Sequence, residues 1–341
     1  MRYVSFFFLL MLLFSCNPSA EKKSRKVGKA QSAPYELLVV ADKDWLKTSA
    51  GQMLVSLVEQ PIPGLPQAEP HFRVTYIYPN DFAGTFRTYS NVLVVEIGQK
   101  HTKPQMTLDR DVFARPQVVI GLYAPNDQAL LSLIQAREKD ILAQFNEQEF
   151  SRERALLGKT YSDAVLQQAR KQFGISIHVP KDIADMKIAK DFLWAAASER
   201  DFRQNLCLYS FPLAEISAFE TIRDSMLRVN IPGGKEGQWM ETDHRTVILD
   251  EINDLNSHVA QTENRGARND KKFPNRLIMR GLWDMRNDAM GGPFVSYLYV
   301  DTLRQRCIVA EAFVFAPNQN KRALIKQMEA ALQTVTFESE K

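Results

Sequence analysis

Cysteine is nearly missing from this chain. It has three in 341 residues, never spaced Cys-x-x-Cys, so neither a disulfide-built scaffold nor a zinc ribbon is available to it. Histidine is as sparse: His71, His101, His178, His244 and His258 are scattered with no ligand spacing, and they read as surface or internally satisfied side chains. No metal or cofactor is expected. The patterns His-Glu-x-x-His, Gly-x-Ser-x-Gly, Gly-x-Gly-x-x-Gly, the phosphate-binding loop and the calcium loop are all absent, so no catalytic residue is nominated. Ser19-x-x-Lys22 matches a Ser-x-x-Lys pattern, but its surroundings offer nothing to build an oxyanion hole. One-sided charge is missing too. Formal net charge is +3, and without residues 1–15 there are 42 basic against 40 acidic residues, which argues against nucleic acid as the partner.

One long apolar run is present, and it comes first. Val4 to Phe14 holds ten apolar residues in eleven, after a single Arg2. As a helix it is about 17 Å long, against a hydrocarbon core of about 30 Å, so it is too short to span. A positive start, a short apolar segment and a small residue form the layout of an export signal. The next residues, Leu13-Phe14-Ser15-Cys16, resemble the lipobox of bacterial lipoproteins, with Phe14 bulkier than usual at its position. That resemblance implies removal of residues 1–15, a diacylglycerol thioether on Cys16 and acylation (palmitate-type chains) of the new amino terminus. Several acyl chains at one residue anchor stably where one does not.

Residues 17–34 carry Lys22, Lys23, Arg25, Lys26 and Lys29 against one acid, Glu21, with Val27 the only large apolar residue. Residues 16–34 are therefore expected to be a disordered basic tether, with the eighteen after Cys16 reaching about 23 Å r.m.s.. The tether is either a solvated spacer or a strip that lies on anionic headgroups. Asn17 follows the cysteine and no acidic run does, which favours the outer membrane and a body facing the periplasm.

Order is expected from Tyr35. "YELLVVAD", "HFRVTYIYP", "NVLVVEIG" and "QVVIGLYAP" read as strands, "WLKTSAGQMLVSLVEQ" as an amphipathic helix, and "PIPGLPQAEP" as a loop, since four prolines in ten residues forbid a ladder or helix. Asn126 or Asp127 caps a long helix. Residues 35–171 thus form an α/β domain with a mixed, partly parallel sheet, ending in that long helix. Residues 172–338 are expected to be an α+β domain with an antiparallel sheet. Its strands are "GISIHVP", "NLCLYSFP", "RLIMRGLWD", "FVSYLYVD" and "RCIVAEAFVFAP", and its closing helix is "QNKRALIKQMEAALQTVTF". The polar segment from Glu241 to Lys272 reads as a loop or solvated helix, and Gly291-Gly292-Pro293 as a turn.

"GLPQAEPHFRV", "NVLVVEIG", "ARPQVVI" and "RGLWDMRNDAMGGPFVSY" together resemble a family of uncharacterised lipoproteins of Gram-negative anaerobes, classed as a domain of unknown function. The resemblance covers about residues 35–338. It implies an envelope location and no chemistry. "FGISIHVPKDI" with the last hairpin and helix is similar, more weakly, to the sandwich of photosystem-assembly-type lipoproteins.

Two sets of residues stand out within the body. Cys207 and Cys307 each lie in an expected strand. They are either buried thiols or a disulfide closing a loop of 100 residues, worth about 4.7 kcal/mol by chain entropy. Arg280, with Ile278 and Leu282, and Glu311, with Val309 and Phe313, each put a charge on an apolar strand face, where a charge must be paired. We expect Arg280 and Glu311 to pair with each other, or to line a polar pocket beside Trp283. An edge strand with its charges in water would also account for them. Three function classes remain: a non-catalytic binding or assembly-support module, a hydrolase of an envelope polymer, and a small-ligand binder at the junction of the two halves. Partners are the membrane, through the lipid, and an unidentified envelope protein or polymer.

Overall fold

The computed structural model describes residues 27–197, 203–252 and 276–338. The first half is an α/β layer. Strands β1 (Glu36–Val40), β2 (Arg73–Ile77), β3 (Asn91–Ile97), β4 (Gln105–Arg110) and β5 (Val118–Ala124) lie in the order β2-β1-β3-β5-β4. The first four are parallel, and β4 is antiparallel at the edge. Leu37 and Val39 of β1 pack in one apolar cluster with helices α1 (Ser49–Val58) and α2 (Asp127–Leu157). Leu38 and Val40 pack on the other face against Phe82, Phe86, Tyr89 and Phe113. Cover on both faces is why these parallel strands read as unbroken apolar runs. Asn126 caps α2 by accepting from the Ala129 N–H at 2.9 Å. Asp127 then accepts from Trp45 Nε1 (2.8 Å) and Thr48 Oγ1 (2.7 Å), tying the start of α1 to the start of α2.

The second half is a seven-stranded antiparallel sheet. Strands β6 (Ile183–Ala189), β7 (Phe192–Ala197), β8 (Arg203–Pro212), β9 (Met240–Ile252), β10 (Arg276–Met285), β11 (Gly291–Asp301) and β12 (Arg306–Phe315) follow the order β9-β10-β11-β12-β8-β7-β6. Helices α3 (Asp163–Phe173) and α5 (Arg322–Leu332) cover one face, burying Val165, Phe173, Ile325 and Met328 on Leu206, Val295, Tyr297 and Ile308. Helix α4 (Phe219–Asn230) covers the other, with Phe219 and Leu227 in the cluster of Cys207, Met279, Trp283, Phe294, Val309 and Phe313. Each strand therefore alternates between two cores. The division into a mixed, partly parallel N-terminal sheet and an antiparallel C-terminal sheet is as the residue patterns predict.

Several details differ from the sequence expectation. Composition places residues 28–34 in the tether, yet they are held on the body. Gly28–Lys29 pairs in parallel with Ala114–Arg115, and Ser32 Oγ accepts from the Ser90 N–H. Met240–Ile252 is an edge strand, not a loop or helix; residues 253–272 of that polar segment lie outside the described residues. Gly291-Gly292-Pro293 opens β11, and the turn is formed by residues 286–290. Glycine at 292 serves close approach, since a Cβ there would sit 2.0 Å from the Val314 carbonyl oxygen.

The halves are joined by helix contacts and by the proline loop. Helix α2 is 31 residues long, or about 46 Å, and its last turns lie against α5. There Gln327 Nε2 donates to Glu153 (2.9 Å), and Arg154 bonds Gln333. Residues 61–70 bring Glu69 to the start of α5, where its carboxylate accepts from the Lys321 and Arg322 backbone N–H groups at 2.6 and 3.0 Å. Helix α5 has no capping side chain of its own, so Glu69 supplies the cap.

Candidate functional site

The register separates the residues expected to meet. Arg280 of β10 stands in a cross-strand row with Val295 and Ala312, while Glu311 stands in the next row, with Ser296 and Met279. Successive residues of a strand face opposite sides, so Arg280 faces α5 and Glu311 faces α4. No Arg280–Glu311 pair forms. Arg280 makes a bidentate pair with Glu329 of α5, its Nη1 donating at 2.9 Å and its Nη2 bonding Glu329 Oε1, and the Tyr297 hydroxyl donates to the same carboxylate at 2.9 Å. Burial works against the Glu329 charge, but Arg280 outweighs it and holds the carboxyl below its ordinary range. Glu311 pairs with Arg223 of α4 at 2.9 and 2.6 Å and accepts from Ser296 Oγ at 2.6 Å. Both members of that pair are fully buried, and the guanidinium lies 3.6 Å from the centre of the Phe294 ring.

Trp283 lies on the α4 face with Glu311, edge-on to Phe313 at 5.3 Å and only 1% exposed. It is core, not a stacking surface. Cys207 and Cys307 are both free and buried. Cys207 stands opposite Glu311 and Cys307 opposite Phe211, four positions apart along paired strands. That is about 13 Å of strand, well beyond the reach of a disulfide.

At the junction, Lys326 of α5 is buried and forms no ion pair with a carboxylate among the described residues. Its Nζ donates to Asn146 Oδ1 at 2.5 Å, lies 3.4 Å from His71 Nδ1 and sits over the rings of Tyr35 and Phe72 at 4.8 and 5.3 Å. Burial pulls its pKa down to about 7 against a smaller opposing pull from Glu329. Burial, then the charge of Lys326, pulls His71 down to about 4. The space bounded by Gly64, Leu65, Arg280, Lys326 and Glu329 is only about 10 Å³, at or below the room for one water. That part of the junction is packed shut.

A ligand-sized space lies beside it. A groove of about 660 Å³ opens where the proline loop meets the ends of β10, β11 and β12, within the range of small-molecule sites. Leu282, Met290 and Phe315 line it from the second half, and Pro66 and Gln67 from the first. Its charged groups are Glu241, Asp284, Arg286, Asp288 and Lys321. Glu241 and Asp284 face each other across β9 and β10, an unfavourable like-charge pair. Partial burial, then Asp243 and Glu241, raises the Asp284 pKa above its ordinary value. The stretch Leu282 to Gly292 of "RGLWDMRNDAMGG" runs along this groove. The residues facing the space, however, are not Arg280, Trp283 or Glu311.

Sequence reasoning missed the α4 cluster, in which Asp224 bonds Thr242 and lies 2.9 Å from His244 Nε2. It also missed the groove's Lys321 wall, which joins residues some 250 positions apart. Among the described residues no group of three or more His, Cys, Asp or Glu side chains is arranged to hold a metal ion. Among them, too, no helix is long and apolar enough to cross a membrane.

The model of a domain of unknown function, DUF4837, matches residues 162–334, just over half of the chain. The chain belongs to the DUF4837 family. A second domain of unknown function, DUF8532, matches residues 30–157. No curated protein matches the chain. The DUF4837 match spans both faces of the antiparallel sheet and every groove residue except Pro66 and Gln67, which fall in the DUF8532 match. The groove is thus assembled from both families' segments.

Proposed function

We propose that this DUF4837 protein is an outer-membrane lipoprotein, anchored through acyl chains on Cys16, whose body faces the periplasm as a non-catalytic binding or assembly-support module. Support for the anchor is the run Val4–Phe14 ending at Ser15-Cys16. The observation that carries the binding role is the groove of about 660 Å³ walled by both halves. It is open, and among the described residues no cysteine, serine or histidine lines it. The partner is an envelope protein or polymer.

Two measurements test this. Labelled fatty acid should enter the wild-type protein and not Cys16→Ser, which should leave the membrane fraction. A photo-crosslinking residue at Asn287, on the groove rim, should capture an envelope component in intact cells, whereas one at exposed Lys139, on the outer surface of α2, should not. Capture at both sites alike, or at neither, would overturn the binding role.

One observation favours a second reading, hydrolysis of an envelope polymer: two carboxylates, Asp284 and Glu241, face each other across β9 and β10. A general acid is kept protonated by a closed apolar site, and Asp284 is exposed, so binding is the better account. Polymer cleavage by the wild type that Asp284→Asn abolishes would reverse that ranking.

A further inference from the structure

The ligand class of the groove follows from two charged side chains, Asp284 and Lys321, that form no ion pair with a described residue, and naming it rests on the binding role proposed above. Asp284 makes no hydrogen bond or ion pair with any described residue, and it faces Glu241. The nearby cations contact the neighbouring carboxylates and make no ion pair with Asp284. Arg245 holds both oxygens of Asp243, at 2.8 and 3.0 Å, and Arg286 lies 3.6 Å from Glu241. An incoming ammonium would relieve the repulsion between Asp284 and Glu241.

Lys321 presents the opposite case. It is only 4% exposed, and its ammonium donates to two neutral acceptors, Gln67 Oε1 at 2.9 Å and the Gln319 carbonyl at 2.8 Å. An ammonium has three N–H donors, and the third has no acceptor among the described residues. Glu69 lies close by, but its carboxylate is committed to the backbone N–H groups of Lys321 and Arg322. No described carboxylate lies within ion-pair distance of that ammonium, and a carboxylate brought into the groove would give its third N–H a charged acceptor.

We infer that the groove binds a short peptide, or a peptide-like chain, bearing both a free ammonium and a carboxylate. The ammonium sits at Asp284 and Glu241, and the carboxylate at Lys321. Leu282, Met290 and Phe315 line the same groove and provide its apolar contact. A simple cation or anion would satisfy one end only. A chain carrying both charges satisfies both, and charge-assisted hydrogen bonds in a partly desolvated groove are the strong kind.

The test is calorimetric titration of the full-length protein in detergent micelles with di-, tri- and tetra-alanine. Each is used with both ends free, with the amine acetylated, with the carboxyl amidated, and with both ends blocked. The free peptide of the best length should bind, and blocking either end should weaken it about tenfold or more. Asp284→Asn should bind free and acetylated peptide alike, and Lys321→Met should bind free and amidated peptide alike. The blocked-ligand series uses wild-type protein, so it stands even if Lys321→Met fails to fold. Equal binding of free and doubly blocked peptides, tighter binding of a singly blocked form, or no binding at about 10 mM would overturn the inference. The crosslink at Asn287 separates the two levels. Capture there without charge dependence overturns the ligand class alone, and no capture removes the binding role beneath it.

Discussion

Arg280 and Glu311 stand two strands apart on opposite faces of one sheet, and each is neutralised by the helix that covers its own face. The sheet thus carries a buried ion pair on each side, Arg280–Glu329 toward α5 and Glu311–Arg223 toward α4. Removing one member of a buried pair strands the other, at a cost of about 3–5 kcal/mol. Arg280→Leu and Glu329→Leu should each destabilise by about that amount in urea unfolding, and the double mutant by much less than their sum. Arg280→Leu combined with Glu311→Leu should instead be nearly additive. A coupling between Arg280 and Glu311 as large as that between Arg280 and Glu329 would contradict the register.

The two cysteines give a chemical check on the same register. Neither thiol should react with an aromatic disulfide reagent in the folded protein, and both should react in denaturant without prior reduction. Burial, then the charge of Glu311, pushes the Cys207 thiol well above its usual pKa, and burial raises Cys307 to about 11. Both are therefore poor thiolates as well as inaccessible ones. A mobility difference between reduced and non-reduced samples would show a bridge that the four-position offset forbids.

The residue patterns that were legible are those where burial writes directly into composition. The runs of β1, β3 and β5 are apolar because both faces are covered, and Asn126 announces α2 because short polar side chains cap helices. Two edge strands hid for the opposite reason. "QMTLDR" of β4 and "METDHRTVILDEI" of β9 each pair on one side only, so their polar residues resemble those of a loop. Helix α4 was also hidden. Its sequence "FETIRDSMLRVN" buries an arginine, Arg223, where a buried helix face normally shows an aliphatic residue. That omission misdirected the site. With no α4 in view, Glu311 had no visible partner but Arg280. The groove was half legible, because its floor is one continuous segment and its Lys321 wall depends on a tertiary contact.

Lys326 should make the protein more stable as pH rises above neutrality. Its folded pKa is about 7, below the ordinary lysine value of about 10.4. Between those two values the unfolded chain holds a proton that the folded chain has released. Stability therefore climbs with pH across that window, by up to about 1.4 kcal/mol per unit. It levels off above the ordinary value, and Lys326 contributes no further slope below its folded one. The charged groups that set the folded value are Glu329 and Glu149 on one side and Arg322 and Arg280 on the other. His71, lowered to about 4, adds a loss of stability as pH falls from its ordinary value toward 4. Urea midpoints from pH 7 to 10 should rise for the wild type and stay flatter for Lys326→Met. Equal slopes would mean that the amine is already charged in the fold.

Glu69 links the fold to the groove, and its loss should be felt in both. It reaches across some 250 residues to hold the two first N–H groups of α5, a cap and a helix-terminus charge at once. Glu69→Ala should cost about 1–2 kcal/mol, and amide exchange should accelerate first at Lys321 and Arg322. Because the same loop carries Gln67, which fixes the Lys321 ammonium, ligand binding at the groove should weaken by more than the stability change accounts for at temperatures where the protein stays folded. Glu69→Gln keeps one acceptor and should fall between the wild type and alanine in both measurements. If Glu69→Ala lowers stability and leaves groove binding unchanged, the proline loop is a fastening between the halves and not a wall of the site.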